Sequence, residues 1–154
     1  MAKQIEIHDK SQWPGGGSYL AVTLDDILRA IVREGSALTW AAFDLEGVGE
    51  FANLREAWGD EGQVVLLTWD ELTSFAPEVI QLVWGIFVGG QATNLQGLSS
   101  AMADSEIFNR SEIIIEAFDG TFWRFFAQDD HLVKRVRKSF TQVVDASEFR
   151  LGEG

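Results

Sequence analysis

The pair Asp119-Gly120 stands between Ile113-Ile114-Ile115 on one side and Phe122-Trp123 with Phe125-Phe126 on the other, and no stretch constrains the fold more. β-Branched and aromatic runs flanking Asp-Gly predict two strands joined by a tight turn. The register follows from what each choice would bury. A type I turn with Gly120 in the left-handed region of a bulge puts Ile113, Ile115, Ala117, Trp123 and Phe125 on one apolar face. The other face then carries Ile114, Glu116 and Phe118 with Phe122, Arg124 and Phe126, so the two charges of the hairpin can pair. A simple two-residue turn would set Glu116 opposite Trp123. Burial of each large side chain is worth roughly 2 to 3 kcal/mol, which outweighs any turn preference.

Past Gln128 the apolar period lengthens to that of a helix, with Leu132, Val133, Val136 and Phe140 in one stripe. Asp129 or Asp130 is placed to cap its start, and Lys134, Arg135, Arg137 and Lys138 fall on its outer side and in its later turns. These four cations lack aromatic interleaving and belong to an acidic chain, so they read as a solvated face and not as a nucleic-acid patch.

The chain has 154 residues, a net charge of −12 and no cysteine. That length suits one domain, residues 1–154, and the missing thiols remove disulfides, thiol catalysis and thiolate metal sites. No apolar run is long enough to span a bilayer, and residues 1–10 lack an apolar signal core. A cytoplasmic location is expected. Residues 1–109 hold 16 acids against 5 bases, whereas residues 110–154 hold 8 against 7. A field so placed repels nucleic acid and attracts basic proteins.

Earlier in the chain, Gln4 to His8 alternates as a strand does, and Trp13-Pro14-Gly15-Gly16-Gly17 reads as a connecting loop. Thr23 with Asp26 and Thr68 with Glu71 form capping pairs that open two helices, the first ended by Gly35 and the second by Pro77. Leu38 to Leu45, Gln63 to Leu67 and Leu82 to Val88 are apolar enough to be strands, the last closed by Gly89-Gly90. Residues 91–111 are small and polar, a mobile loop or a weak helix carrying Leu95, Leu98 and Met102, and residues 147–154 read as a frayed tail.

Few residues suggest chemistry. Gly47-Val48-Gly49-Glu50-Phe51-Ala52 has the spacing of a dinucleotide-binding turn, but Glu46 and Glu50 flank the amides that would receive a pyrophosphate. The chain has only His8 and His131, and neither has a second histidine near it in sequence, so no metal and no cofactor is expected. Asp44 with Glu46 would share a strand face, and Asp70 with Glu71 start a helix. Such pairs serve as acid and base only where one is desolvated.

The closing segment IEAFDGTFWRFFAQDDHLVKRVRKSF resembles the final strand, turn, aromatic strand and basic helix of small uncharacterised bacterial proteins, some of them similar to immunity proteins that neutralise a toxin partner. The resemblance implies a fold and carries no functional residues. The expected fold is thus α+β: a mixed or mainly antiparallel sheet of about six strands with about three helices on one face, ending in a β-hairpin and a C-terminal helix. The expected function is a non-catalytic acidic protein-binding module, in the manner of an immunity or inhibitor protein. Its candidate contacts are Asp44, Glu46, Glu50, Asp60, Glu61, Asp70 and Glu71. The rivals are an enzyme or ligand binder with a pocket of carboxylates walled by Trp40, Trp69 or Trp84, and a homo-oligomer joined through exposed aromatics.

Overall fold

A computed structural model describes residues 4–49, 63–146 and Leu151. The order is β1 (Gln4–Ile7), β2 (Lys10–Gln12), β3 (Ser18–Leu20), α1 (Leu24–Ala30), α2 (Val32–Gly35), β4 (Thr39–Gly49), β5 (Val65–Leu67), α3 (Trp69–Phe75), a 3-10 turn (Ala76–Glu78), β6 (Val79–Gly90), α4 (Ala92–Leu95), α5 (Asp104–Arg110), β7 (Ile113–Phe118), β8 (Phe122–Ala127), α6 (Asp130–Ser139) and β9 (Val143–Asp145). Seven strands form one antiparallel sheet in the order β5-β4-β6-β7-β8-β1-β9, and β2 with β3 forms a separate hairpin. The class is α+β, as the sequence implies. Six helices are described in place of three, and a short strand follows the last helix and pairs with β1.

The β7–β8 hairpin has the bulged register. Ile115 faces Phe125, Ala117 faces Trp123, Glu116 faces Arg124 and Phe118 faces Phe122. The turn itself differs from type I. Both Asp119 (φ 52) and Gly120 (φ 66) are left-handed, and the Thr121 amide donates to the Phe118 carbonyl at 3.0 Å. A turn of that hand matches the right-handed twist of its strands, and aspartate tolerates the region better than most residues. The Gly120 amide also donates to the Val83 carbonyl at 2.9 Å, which ties the turn to β6. Gly120→Val should therefore cost about 2 kcal/mol and lower Tm by roughly 4 to 8 °C, as differential scanning calorimetry will show; an unchanged Tm would mean that the turn lies elsewhere.

The sheet buries both faces. On the first, Ile27 and Leu28 of α1, Leu72 and Phe75 of α3, and Leu132, Val133 and Val136 of α6 pack over Ile5, Ile7, Trp40, Phe87, Ile115, Trp123 and Phe125. On the second, Leu95 of α4, Leu98, and Ile107 and Phe108 of α5 cover Ala41, Val88, Ile114 and Phe126. The polar stretch 91–111 thus folds as two short helices that cap the second face. Arg110 holds them together, its guanidinium 3.0 Å from both the Gln96 carbonyl and the Glu106 carboxylate. Within the tail, Leu151 is buried against this same cluster.

Strands β4 and β6 run further than their apolar cores suggest. Gly89 and Gly90 are the last two residues of β6, and a Cβ on Gly89 would come within 2.9 Å of the Trp40 ring. In β4 the pairing shifts between Phe43, opposite Ile86, and Glu46, opposite Trp84. Regular alternation would place Asp44 on the core face with Trp40 and Ala42. The bulge, with Asp44 at φ 57, keeps it exposed and seats Leu45 in the core instead.

Both capping boxes form, and Asp129 caps α6 through the His131 amide. The outer cations of α6 are partly neutralised within the chain, Arg135 by a two-pronged bond to Glu34 at 2.6 and 2.7 Å and Arg137 by Asp145. Partial burial pushes the Asp9 carboxyl up, but hydrogen bonds from the Thr141 amide, the Gln142 amide and the Thr141 hydroxyl outweigh it and hold the group below its ordinary value. Hydrogen bonds from Arg135 do the same for Glu34. For both groups the unfolded chain binds protons more readily, so their stabilisation is present above the unfolded value, about 4, and fades as pH falls through the folded one. The urea midpoint should accordingly drop on acidification below that point, with a shallower drop in Asp9→Asn. An equally steep drop in that variant would remove Asp9 from the account.

Candidate functional site

The sequence Trp13-Pro14-Gly15-Gly16-Gly17 is the turn of the β2–β3 hairpin and not a free connector. Its three glycines take φ of +93, +117 and +81, which side chains resist, and Trp13 closes it through 3.0 and 3.1 Å bonds with Gly17 and Gly16. The turn brings the Trp13 and Tyr19 rings together at 4.3 Å between centroids. Trp13 remains 57% exposed and Tyr19 39%.

Beneath this pair lies a cleft of about 440 Å³ between the hairpin, the start of β6 and the β7–β8 turn. Leu24, Val79, Leu82 and Trp123 make it apolar, and Ser18, Thr23 and Gln81 add neutral polar groups. The Trp123 indole donates to the Val22 carbonyl at 2.8 Å and so fixes the chain leaving the hairpin to the sheet. Thr23 then caps α1, and the Ala21 amide donates to the Asp9 carbonyl at 2.8 Å. The wall is thus held from both ends. Among the described lining residues Tyr19 is the one titratable side chain, and no two carboxylates face each other there.

The tryptophans expected as pocket walls stand elsewhere. Trp40 is fully buried, donates to the Gly35 carbonyl at 3.0 Å and lies 6.0 Å from the Trp69 ring. Trp84 belongs to a ladder on the second sheet face. There His8 stacks on Phe122 at 4.6 Å, Phe122 on Phe118 at 4.7 Å, and Trp84 meets Phe118 edge-on at 5.0 Å. Beside the ladder, Glu116 and Arg124 are bonded at 3.1 Å with side chains 1% and 4% exposed, and the guanidinium lies 4.3 Å from the Phe118 ring centre. A guanidinium so enclosed organises the hairpin and offers little to solvent.

Of the acidic residues proposed as contacts, Asp44 and Glu46 are exposed at the β4 bulge, and Asp70 and Glu71 are exposed at the start of α3. The bulge breaks the two-residue spacing that would have set Asp44 and Glu46 side by side. Trp40 pairs with Leu67, just before α3, whereas Asp44 and Glu46 lie further along β4, roughly 13 and 20 Å of strand away. Glu71 is committed to its capping bond with the Thr68 amide at 3.0 Å. Glu50, Asp60 and Glu61 lie outside the described residues, as does the end of the glycine motif. Its Gly47 and Gly49 are strand residues paired with Leu82 and Val79, so they form no phosphate-binding turn.

His8 bonds Glu6 at 2.9 Å, and among the described residues no three metal-ligating side chains come together. Nor is any described helix long and apolar enough to cross a membrane. The cleft escaped sequence reasoning because its walls come from three distant segments. The signal that could have found it is an unburied tryptophan directly before Pro-Gly-Gly-Gly. Comparison with family models, curated proteins and solved structures finds no match for the chain.

Proposed function

We propose that the chain is a non-catalytic, acidic protein-binding module that meets its partner through the β2–β3 hairpin and the cleft below it. The observation that carries this reading is the Trp13–Tyr19 pair, held on a hydrogen-bonded glycine turn and left in water above an apolar hollow. Tryptophan and tyrosine anchors supply much of the energy of protein interfaces, and a preformed turn lowers the entropy lost on docking. The net charge of −12 favours a basic partner and speeds encounter at low salt. Asp44, Glu46, Asp70 and Glu71 are exposed and contribute to that field as candidate contacts. Neutralising a toxin or inhibiting an enzyme is the form of binding that the resemblance of the C-terminal segment suggests.

The test is capture from an extract of the source organism at low salt, with the wild-type chain and with Trp13→Ala immobilised in parallel. A basic protein held stoichiometrically by the wild type and lost from the variant is the expected result. Equal recovery by both, or none by either, would refute the proposal. Since Trp13 is largely solvated, its removal should leave Tm within roughly 2 °C.

The cleft volume also lies in the range of small-ligand sites, roughly 300 to 1,000 Å³, which favours a second reading as a carrier of a neutral small molecule. Native mass spectrometry of the purified chain decides between them, because a co-purifying ligand of defined mass would support the carrier.

A further inference from the structure

We infer that the cleft under Trp13 and Tyr19 receives an arginine or lysine side chain of a basic protein partner. This inference rests on the binding role proposed above and names the chemistry of its occupant. Three features converge on it. First, the exposed face of the Trp13 indole offers the aromatic surface over which a guanidinium or ammonium is attracted, and tryptophan is the strongest ring for that purpose. Second, the apolar lining from Leu24, Val79 and Leu82 suits the methylene stem of such a side chain, which packs while its charged head stays near water.

The third feature is charge. Asp26 and Asp25 follow lining residue Leu24, Glu78 precedes Val79 and Asp119 precedes Gly120. Asp25 is paired with Arg29, and Asp26 also accepts the Thr23 amide, but Glu78 and Asp119 are exposed. The base of the hairpin is Lys10, opposite Leu20, while Arg124 next to Trp123 is buried against Glu116 on the other sheet face. No charged side chain is found among the described residues that line the cleft. A cation therefore meets an aromatic hollow whose described lining is uncharged and whose neighbours along the chain are mostly acids, whereas an anion finds no fixed counter-charge among the described lining residues.

The experiment is calorimetric titration of the full chain, at low and at high salt, with a peptide of arginines spaced by glycine and serine. Matched peptides carry citrulline or norleucine at the arginine positions. The arginine peptide should bind, Trp13→Ala should weaken it roughly tenfold, and Trp13→Phe should weaken it less. Citrulline, which keeps the shape and loses the charge, should bind far more weakly. If norleucine binds as well as arginine and through Trp13, the cationic occupant is wrong while the protein-binding cleft stands. If none of the three peptides binds, or if Trp13→Ala changes nothing, the cleft loses both roles.

Discussion

Arg124→Met should lower the stability of this protein by about 3 to 5 kcal/mol and Tm by roughly 10 °C, although the residue touches no proposed binding surface. The reason is the carboxylate that it leaves behind. Glu116 is 1% exposed and bonded to Arg124 at 3.1 Å, so removing the guanidinium strands a charge where water cannot reach it. Methionine replaces most of the lost volume, which separates the electrostatic cost from a cavity cost. The double variant Arg124→Met with Glu116→Leu removes both charges and should recover most of the loss, because a buried ion pair is often worth no more than well-packed apolar groups. Urea denaturation of the two single variants and the double variant tests this as a cycle. Additive losses would mean that the two groups act independently.

Trp40→Ala should cost a comparable 3 to 5 kcal/mol by a different route, about the range for emptying a large core site. The Trp40 side chain is wholly buried, covers Gly89 so closely that a Cβ there would sit 2.9 Å from the ring, and gives its indole hydrogen to the Gly35 carbonyl. Alanine would leave a cavity between β4, β6 and α3 and a carbonyl without its donor. Trp40→Phe keeps much of the volume and loses only the hydrogen bond, so about 1 to 2 kcal/mol is expected of it. Calorimetric unfolding of both variants separates the two contributions, and equal losses would show that packing is not what Trp40 supplies.

On the proposed reading Trp13 serves binding, Trp40 serves the fold, and Trp123 belongs to both the core and the cleft wall. Trp40 and Trp123 build the core, whereas Trp13 contributes little to it and stands in water. The same separation runs through the acids. Asp26, Glu71 and Asp129 cap helices, Asp9 fastens the segment after α6, and Asp104 accepts the Leu151 amide at 3.0 Å, so a good part of the acidity also serves the fold.

The β7–β8 hairpin and α6 were legible because their signals are local. The Asp-Gly turn, the alternation on each side and the single pair of opposite charges leave one register in which nothing charged is stranded, and that register is the one observed. The capping boxes were legible for the same reason. The bulge at Asp44 was not, since it is decided by what β6 places opposite: Gly85 leaves room for Leu45 to turn inward, and the carboxylate is turned out. For residues 92–110 the weak helix carrying Leu95, Leu98 and Met102 stood beside a mobile loop, because these side chains, with Ile107 and Phe108, gain meaning only once a second apolar sheet face exists for them to cover. The β2–β3 hairpin has strands of three residues each, too short to show a period. Its cleft draws on segments around residues 13–24, 79–82 and 120–123, and sequence spacing says nothing about their meeting.

Recognition on the hairpin and its cleft, apart from the scaffold, can be mapped by nuclear magnetic resonance of the isotopically labelled full chain during titration with the arginine peptide. The largest shifts are expected at the Trp13 indole, at Gly15, Gly16 and Gly17, and at Thr23, Gln81 and Gly120, with α5 and α6 unchanged. Largest shifts along the cations of α6 or on the Glu116–Arg124 face, or a spectrum that does not move, would contradict it.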